Sequence, residues 1–216
     1  MRSRFDRQLE ELHTALVELG ALCESAISLS AGALLEGDRE KAARVMEQEA
    51  EIDRREREIE RLCLDLLLRQ QPVAADLRTV SSALKMLADL ERIGDQAADI
   101  AELAQFDLPP VGRDHIRQMA QTAIRMVTDS VEAFVSADLD LAAAAIEEDD
   151  RMDELFREVR GDLVRLIREG QADPAQVLDL LMVAKYFERI GDHAVNVAEW
   201  VQFALTGRRP GGEEEP

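Results

Sequence analysis

Apolar residues return at helical spacing along almost the whole chain, and the pattern is cut at a few breaker positions. Gly37-Asp38 stops one long amphipathic stretch and caps the next, Pro72 ends the second, and Asp107 to Gly112, with Pro109-Pro110, is the strongest interruption. The same punctuation then recurs. Ala137-Asp138 interrupts as Gly37-Asp38 did, and Gly170 with Asp173-Pro174 breaks the chain where Pro72 had. The spacing predicts helices over roughly 3–36, 38–70, 75–106, 113–136, 138–169 and 174–206. A helix of 30 residues is about 45 Å long. Short connections make consecutive helices antiparallel neighbours. The expected fold is therefore all-α, two tandem pseudo-symmetric three-helix bundles over 1–107 and 108–206, with 207–216 as a disordered acidic tail.

An internal repeat supports this division. Residues 91–102 (ERIGDQAADIAE) return as 188–199 (ERIGDHAVNVAE), with eight of twelve positions identical at an offset of 97. A fainter echo at an offset of 100 links Glu49–Asp53 to Asp149–Asp153, flanked by Val45 and Ala145 and by Ile59 and Val159. The change of offset predicts a connection between the last two helices three residues shorter than its counterpart in the first half.

The repeated segment carries the candidate chemistry. Residues four apart on a helix lie about 40° apart, so Glu91 with Asp95, and Glu188 with Asp192, set two carboxylates side by side. Asp99 and Glu102 extend this stripe, while Leu90, Ile93, Gly94, Ala97 and Ala101 form a separate apolar one; the last helix repeats the division with Phe187, Ile190, Gly191, Ala194 and Ala198. With Glu49/Asp53 and Asp149/Asp153 there are four such pairs, two per repeat, on the second and third helices of each bundle. Like charges at this spacing cost about 0.2–0.5 kcal/mol per pair, which a fold tolerates, so a single pair reads as a solvated face. Four pairs in register point to cation binding instead. Antiparallel neighbours can bring two pairs face to face, and oxygen-only ligands suit Mg²⁺ or Mn²⁺, or iron with water or oxide in the remaining positions. The Glu-x-x-His signature of di-iron oxidases does not occur, since His193 directly follows Asp192. Gly94 and Gly191, costly in a helix interior, lie on the core side and predict close helix approach.

Composition and charge narrow the rest. At 46% hydrophobic, 4% aromatic and 33% charged, with 6 prolines in 216 residues, the chain is a helical protein and not a sheet. Its formal net charge of −19 repels phosphate backbones and anionic lipid, so neither nucleic-acid binding nor direct membrane insertion is expected. The tail carries two arginines and three glutamates, so without it the charge is still about −18 and belongs to the bundles. Cys23 and Cys63 read as buried reduced thiols, and no apolar run approaches a membrane span, which together predict a cytoplasmic protein. Phosphate-binding glycine loops, CxxC and HExxH are missing, so no enzyme activity is expected.

At Glu91-Arg-Ile-Gly-Asp95, at Glu188-Arg-Ile-Gly-Asp192-His193-Ala-Val-Asn196 and at Gln71-Pro72-Val-Ala-Ala-Asp76-Leu-Arg78, the sequence resembles the PhoU family of bacterial phosphate-uptake and phosphate-signalling regulators. The resemblance runs from about residue 5 to 205. It implies metal binding through tandem E(D)xxxD motifs, reported as multinuclear iron or zinc clusters in some members. Carried onto this chain those motifs are Glu49 and Asp53, Glu91 and Asp95, Asp149 and Asp153, and Glu188 and Asp192, with Asn196 at a family asparagine position that holds Asp99 in the first repeat. The second helix also carries Glu56 and Glu60 where the fifth has Phe156 and Arg160, so the two sites need not bind metal equally. The resemblance further implies a homodimer that represses phosphate-starvation signalling by contacting the ATPase of the phosphate-specific ABC transporter and the phosphate sensor histidine kinase. A carboxylate-bridged ferroxidase, or an accessory subunit of a different phosphate transporter, are the alternatives that the same acids leave open.

Overall fold

In the computed structural model the described residues are 2–104 and 112–208, with side chains described from residue 4. The proline-rich connection around Pro109-Pro110 and the tail beyond residue 208 lie outside them. Seven helical segments result: α1 (Arg2–Glu36), α2 (Arg39–Gln70), α3 (Ala75–Leu103), α4 (Arg113–Ser136), α5 (Leu139–Glu147), α6 (Asp149–Glu169) and α7 (Pro174–Thr206). No strand occurs among the described residues.

The breakers act through their cap chemistry. Asp38 accepts from the backbone N–H groups of Glu40 (2.9 Å) and Lys41 (3.1 Å) at the start of α2. Asp138 does the same for Asp140 (2.9 Å) and Leu141 (3.0 Å) at the start of α5, which satisfies orphan donors of the first turn. Asp173 accepts from Ala175 at 3.0 Å, with Pro174 at the first helical position. Gly37 closes α1 at φ +68°, but its counterpart Ala137 closes α4 in the same left-handed region at φ +56°. Only glycine enters that region without a Cβ penalty.

Two expectations are corrected in detail. The predicted helix 138–169 is tightened at Glu148, whose carbonyl accepts from both Arg151 (3.0 Å) and Met152 (3.2 Å), so α5 and α6 are separate segments and Asp149 opens the second. The connection between α6 and α7 is not shortened either: residues 170–173 number as many as residues 71–74. The three residues are lost from the helices themselves, one from the end of α6 and two from the start of α7, because Gly170 and Asp173-Pro174 set the stop and start signals there.

Each triplet packs as an up-down-up unit, and the two triplets share one continuous core. α1, α3, α4 and α7 form its centre, with α3 against α7 and α1 against α4, while α2 flanks one side and α5–α6 the other. α3 and α7 run antiparallel. Arg78 Nε donates to the carbonyl of Ala204 (3.3 Å) at one end, Asp89 meets His193 in the middle, and Asp99 feels Arg189 at the other. α1 contains a window of mean hydropathy 1.3, long and apolar enough to cross a membrane by composition alone. Its Leu12, Leu16, Leu19, Cys23 and Ile27 are fully buried in the shared core, as a central helix requires. Both cysteines are buried and unpaired, and burial pushes each thiol up to about 12.

Candidate metal centres on two helix pairs

Each repeat builds its acidic site between an outer and a central helix, and a glycine decides how near they come. A Cβ on Gly94 would lie 3.0 Å from Ile52 Cδ1 and 3.1 Å from its Cγ2; a Cβ on Gly191 would lie 3.2 Å from Met152 Cγ and 3.4 Å from Asp149 Oδ1. Ile52 and Met152 are related by the offset of 100, and the glycines by 97. The same contact therefore draws α2 onto α3 and α6 onto α7, which answers why a glycine sits mid-helix in each.

In the first repeat Glu49, Asp53 and Asp95 each offer a carboxylate oxygen, and the three oxygens lie within 4.8 Å of one another. Glu91 belongs to the same field: burial first, then Asp95, Asp53 and Glu56, raise its carboxyl above the ordinary range. Burial, Asp53 and Asp95 do the same for Glu49. Cations already attend this cluster, with Arg92 donating to Asp95 (2.9 Å) and Arg57 standing 3.6 Å from Asp53.

The second repeat assembles Asp149, Asp153, Glu188 and Asp192, but among the described residues no trio of them closes to that distance. Lys185 binds the Glu188 carboxylate. Asp149 is pushed up to about 6, by burial first and then by Asp192, Asp153 and Glu188. Its Oδ1 is buried with no hydrogen-bond partner. Asp192 is raised by burial and Glu188. A buried carboxylate oxygen without a donor, among three further acids, is the expected signature of a place where a cation belongs, because the anions are otherwise desolvated together. The donor set fits: only oxygens are offered, in number sufficient for hard cations.

Two predicted ligands stand elsewhere. Asn196 donates to Asp89 Oδ1 across the α3–α7 contact at 3.0 Å, and His193 Nδ1 lies 2.9 Å from the same oxygen. Asp99, at the position equivalent to Asn196, is raised by burial and by Glu102 and Asp95, with Arg189 opposing. The pair Asp99 and Asn196 thus marks the junction between repeats more than the carboxylate clusters. Asp89 and Lys185 escape a sequence reading, since neither belongs to the repeated motif and Asp89 finds its partners more than a hundred residues away.

A PhoU domain profile matches residues 16–104 and 116–201, which covers both repeats. The chain belongs to the PhoU family. It is 34% identical over 208 residues to the phosphate-specific transport system accessory protein PhoU homolog of Pseudomonas putida, covering 94% of this chain and 81% of that one. With the protein of the same description from Clostridium acetobutylicum identity is 33% over 212 residues, covering 96% and 97%. The crystal structure of PhoU from Pseudomonas aeruginosa superposes with a TM-score of 0.89 at 33% identity, over 94% of this chain and all of that one. The crystal structure of the phosphate transport system regulatory protein PhoU from Streptococcus pneumoniae gives 0.88 at 27% identity, over 95% and 98%.

Proposed function

We propose that this PhoU-family protein is a cytoplasmic accessory protein of a phosphate transport system that restrains phosphate uptake and helps repress phosphate-starvation signalling. Membership of the family supports the accessory role, and relatives at 33–34% identity along nearly the whole chain carry that description. The observation that carries the reading further is the duplicated set of facing carboxylates, drawn together by Gly94 and Gly191. Glu49, Asp53, Glu91 and Asp95 would hold cations in the first repeat, and Asp149, Asp153, Glu188 and Asp192 in the second, with Asp99 and Asn196 at their margins. Manganese, magnesium or iron suits all-oxygen donors, and zinc is the softer option. A bound cation supplies charge neutralisation there, and the acids themselves tie the outer helix to the central one. Function then runs through protein surfaces, with the transporter's ATPase and the sensor histidine kinase as the partners and a homodimer as the working form.

The test is a deletion strain carrying a phosphate-starvation reporter. Loss of the gene should raise reporter activity in high phosphate, and re-expression of wild type should restore repression. Full repression without the gene would overturn the regulatory reading. Elemental analysis of protein purified without chelators tests the metal reading separately; less than stoichiometric metal in wild type, unchanged in an Asp95→Ala/Asp192→Ala double variant, would overturn it.

A further inference from the structure

We propose that the open end of the α6–α7 hairpin is a docking groove for an amphipathic helix of a partner protein whose apolar face is flanked by acidic residues. Val164 (41% exposed) and Ile167 (57%) on α6 stand with Leu178 (62%) and Met182 (43%) on α7 at the tip of this pair. They expose on the order of 350 Å² of apolar surface, a size at which a patch on a monomer is commonly functional. The opposite side of the same helix pair is covered by α4. The outer side therefore offers a two-helix groove of the kind that a third helix completes.

Charge selects the occupant. Arg160, Val164 and Arg168 follow one another at a spacing of four, so they share one face of α6 within about 40° per step. Both arginines are exposed, and neither has an ion-pair partner among the described residues. Their neighbours are otherwise matched: Arg165 is paired with Asp162 (2.5 Å), and Lys185 is held by Glu188. The tip is thus apolar with two uncompensated guanidinium groups, on a chain whose net charge is −19. Acidic side chains on a docking helix would meet those groups, whereas an anionic lipid surface would be repelled by the rest of the molecule. The counterpart tip of the first repeat, with Leu64, Leu68 and Leu77 exposed, has Glu60 where the second has Arg160, so the two ends do not select the same partner.

The experiment uses the full chain and two fluorescent synthetic helices of about 18 residues, some 27 Å long. Both carry leucines at helical spacing, one flanked by glutamates and the other by lysines. The glutamate-flanked peptide should bind saturably in fluorescence anisotropy, at least ~10-fold more tightly than the lysine-flanked one. Arg160→Glu with Arg168→Glu should reverse that preference, Leu178→Ser should weaken both by ~10-fold or more, and Leu68→Ser at the other tip should change neither. All four positions are exposed, and unaltered circular dichroism melts will show that the variants fold. No saturable binding, equal binding of the two peptides, or indifference to the charge reversal would overturn the proposal. Retention on phosphatidylglycerol vesicles without peptide binding would assign the tip to lipid instead. Concentration-dependent dimerisation abolished by Ile167→Asp would assign it to a second copy of the chain.

Discussion

Asp149→Asn separates the two properties that the second acidic cluster combines, because it should stabilise the metal-free protein and remove the response to metal. Asp149 carries a carboxyl pushed up to about 6 from 3.8, by burial and by Asp192, Asp153 and Glu188. At about 1.36 kcal/mol per pKa unit that corresponds to roughly 3 kcal/mol of unfavourable interaction in the ionised form. The group keeps partial access to solvent, and screening reduces this to roughly 1–2 kcal/mol. The native carboxyl holds its proton more tightly than the unfolded one, so the native state binds more protons between about pH 4 and pH 6. Stability of the metal-free wild type therefore falls as pH rises through that window, with Glu49, Glu91, Asp99 and Asp192 contributing in the same direction. The amide has no charge to lose, so the variant's slope should be shallower and its Tm at pH 7.5 in chelator higher by roughly 2–8 °C for a chain of this length. Saturating Mn²⁺ at about 100 times its Kd should add roughly 2.7 kcal/mol to wild type. In the variant that gain should shrink by at least half. Thermal melts by circular dichroism from pH 4 to pH 8, with chelator and with Mn²⁺, read all of this. A variant less stable than wild type in chelator at pH 7.5 would show that the Asp149 carboxylate is satisfied in the native state and refute the reasoning.

Three further outcomes test the packing. Ala137→Gly should stabilise the protein by about 0.5–1 kcal/mol in urea titrations, since φ +56° penalises the alanine Cβ at a position where Gly37 serves the first repeat. Gly94→Val should destabilise by about 1–3 kcal/mol despite its better helix propensity, because its Cβ meets the stiff Ile52 at 3.0 Å. By pushing α2 from α3, it should also weaken Mn²⁺ binding at Glu49, Asp53 and Asp95 in isothermal titration calorimetry. Cys23 and Cys63, buried with thiols pushed up to about 12, should resist a thiol reagent at pH 8 in native buffer and react at two equivalents in guanidinium. Fast native labelling would contradict the burial.

The candidate site was legible in the sequence to the extent that it repeats. Four carboxylate pairs at i and i+4, two glycines at the same offset, and matched breakers were all visible, because helical periodicity places such residues without knowledge of the partner helix. The inequality of the sites was legible only in part. Glu56 and Glu60 against Phe156 and Arg160 announced a difference, but Lys185 on Glu188, the tightened turn at Glu148 and the orphaned Asp149 oxygen depend on how α6 meets α7. Asn196 shows the limit from the other side: the motif places it with the ligands, and packing gives it to Asp89.

The sequence by itself determined the helices, their caps, the twofold repetition and which face of each helix is acidic, all consequences of interactions within a few residues along the chain. It left undetermined how the two triplets meet. That α3 lies antiparallel on α7, that α1 and α4 join them in one core, and that Asp89 reaches across to His193 and Asn196 were decided by the tertiary structure. The reason is physical: apolar faces are non-directional and say only that they must be covered, while the register of two long helices is chosen by close steric fit and by polar partners that only the folded chain brings together.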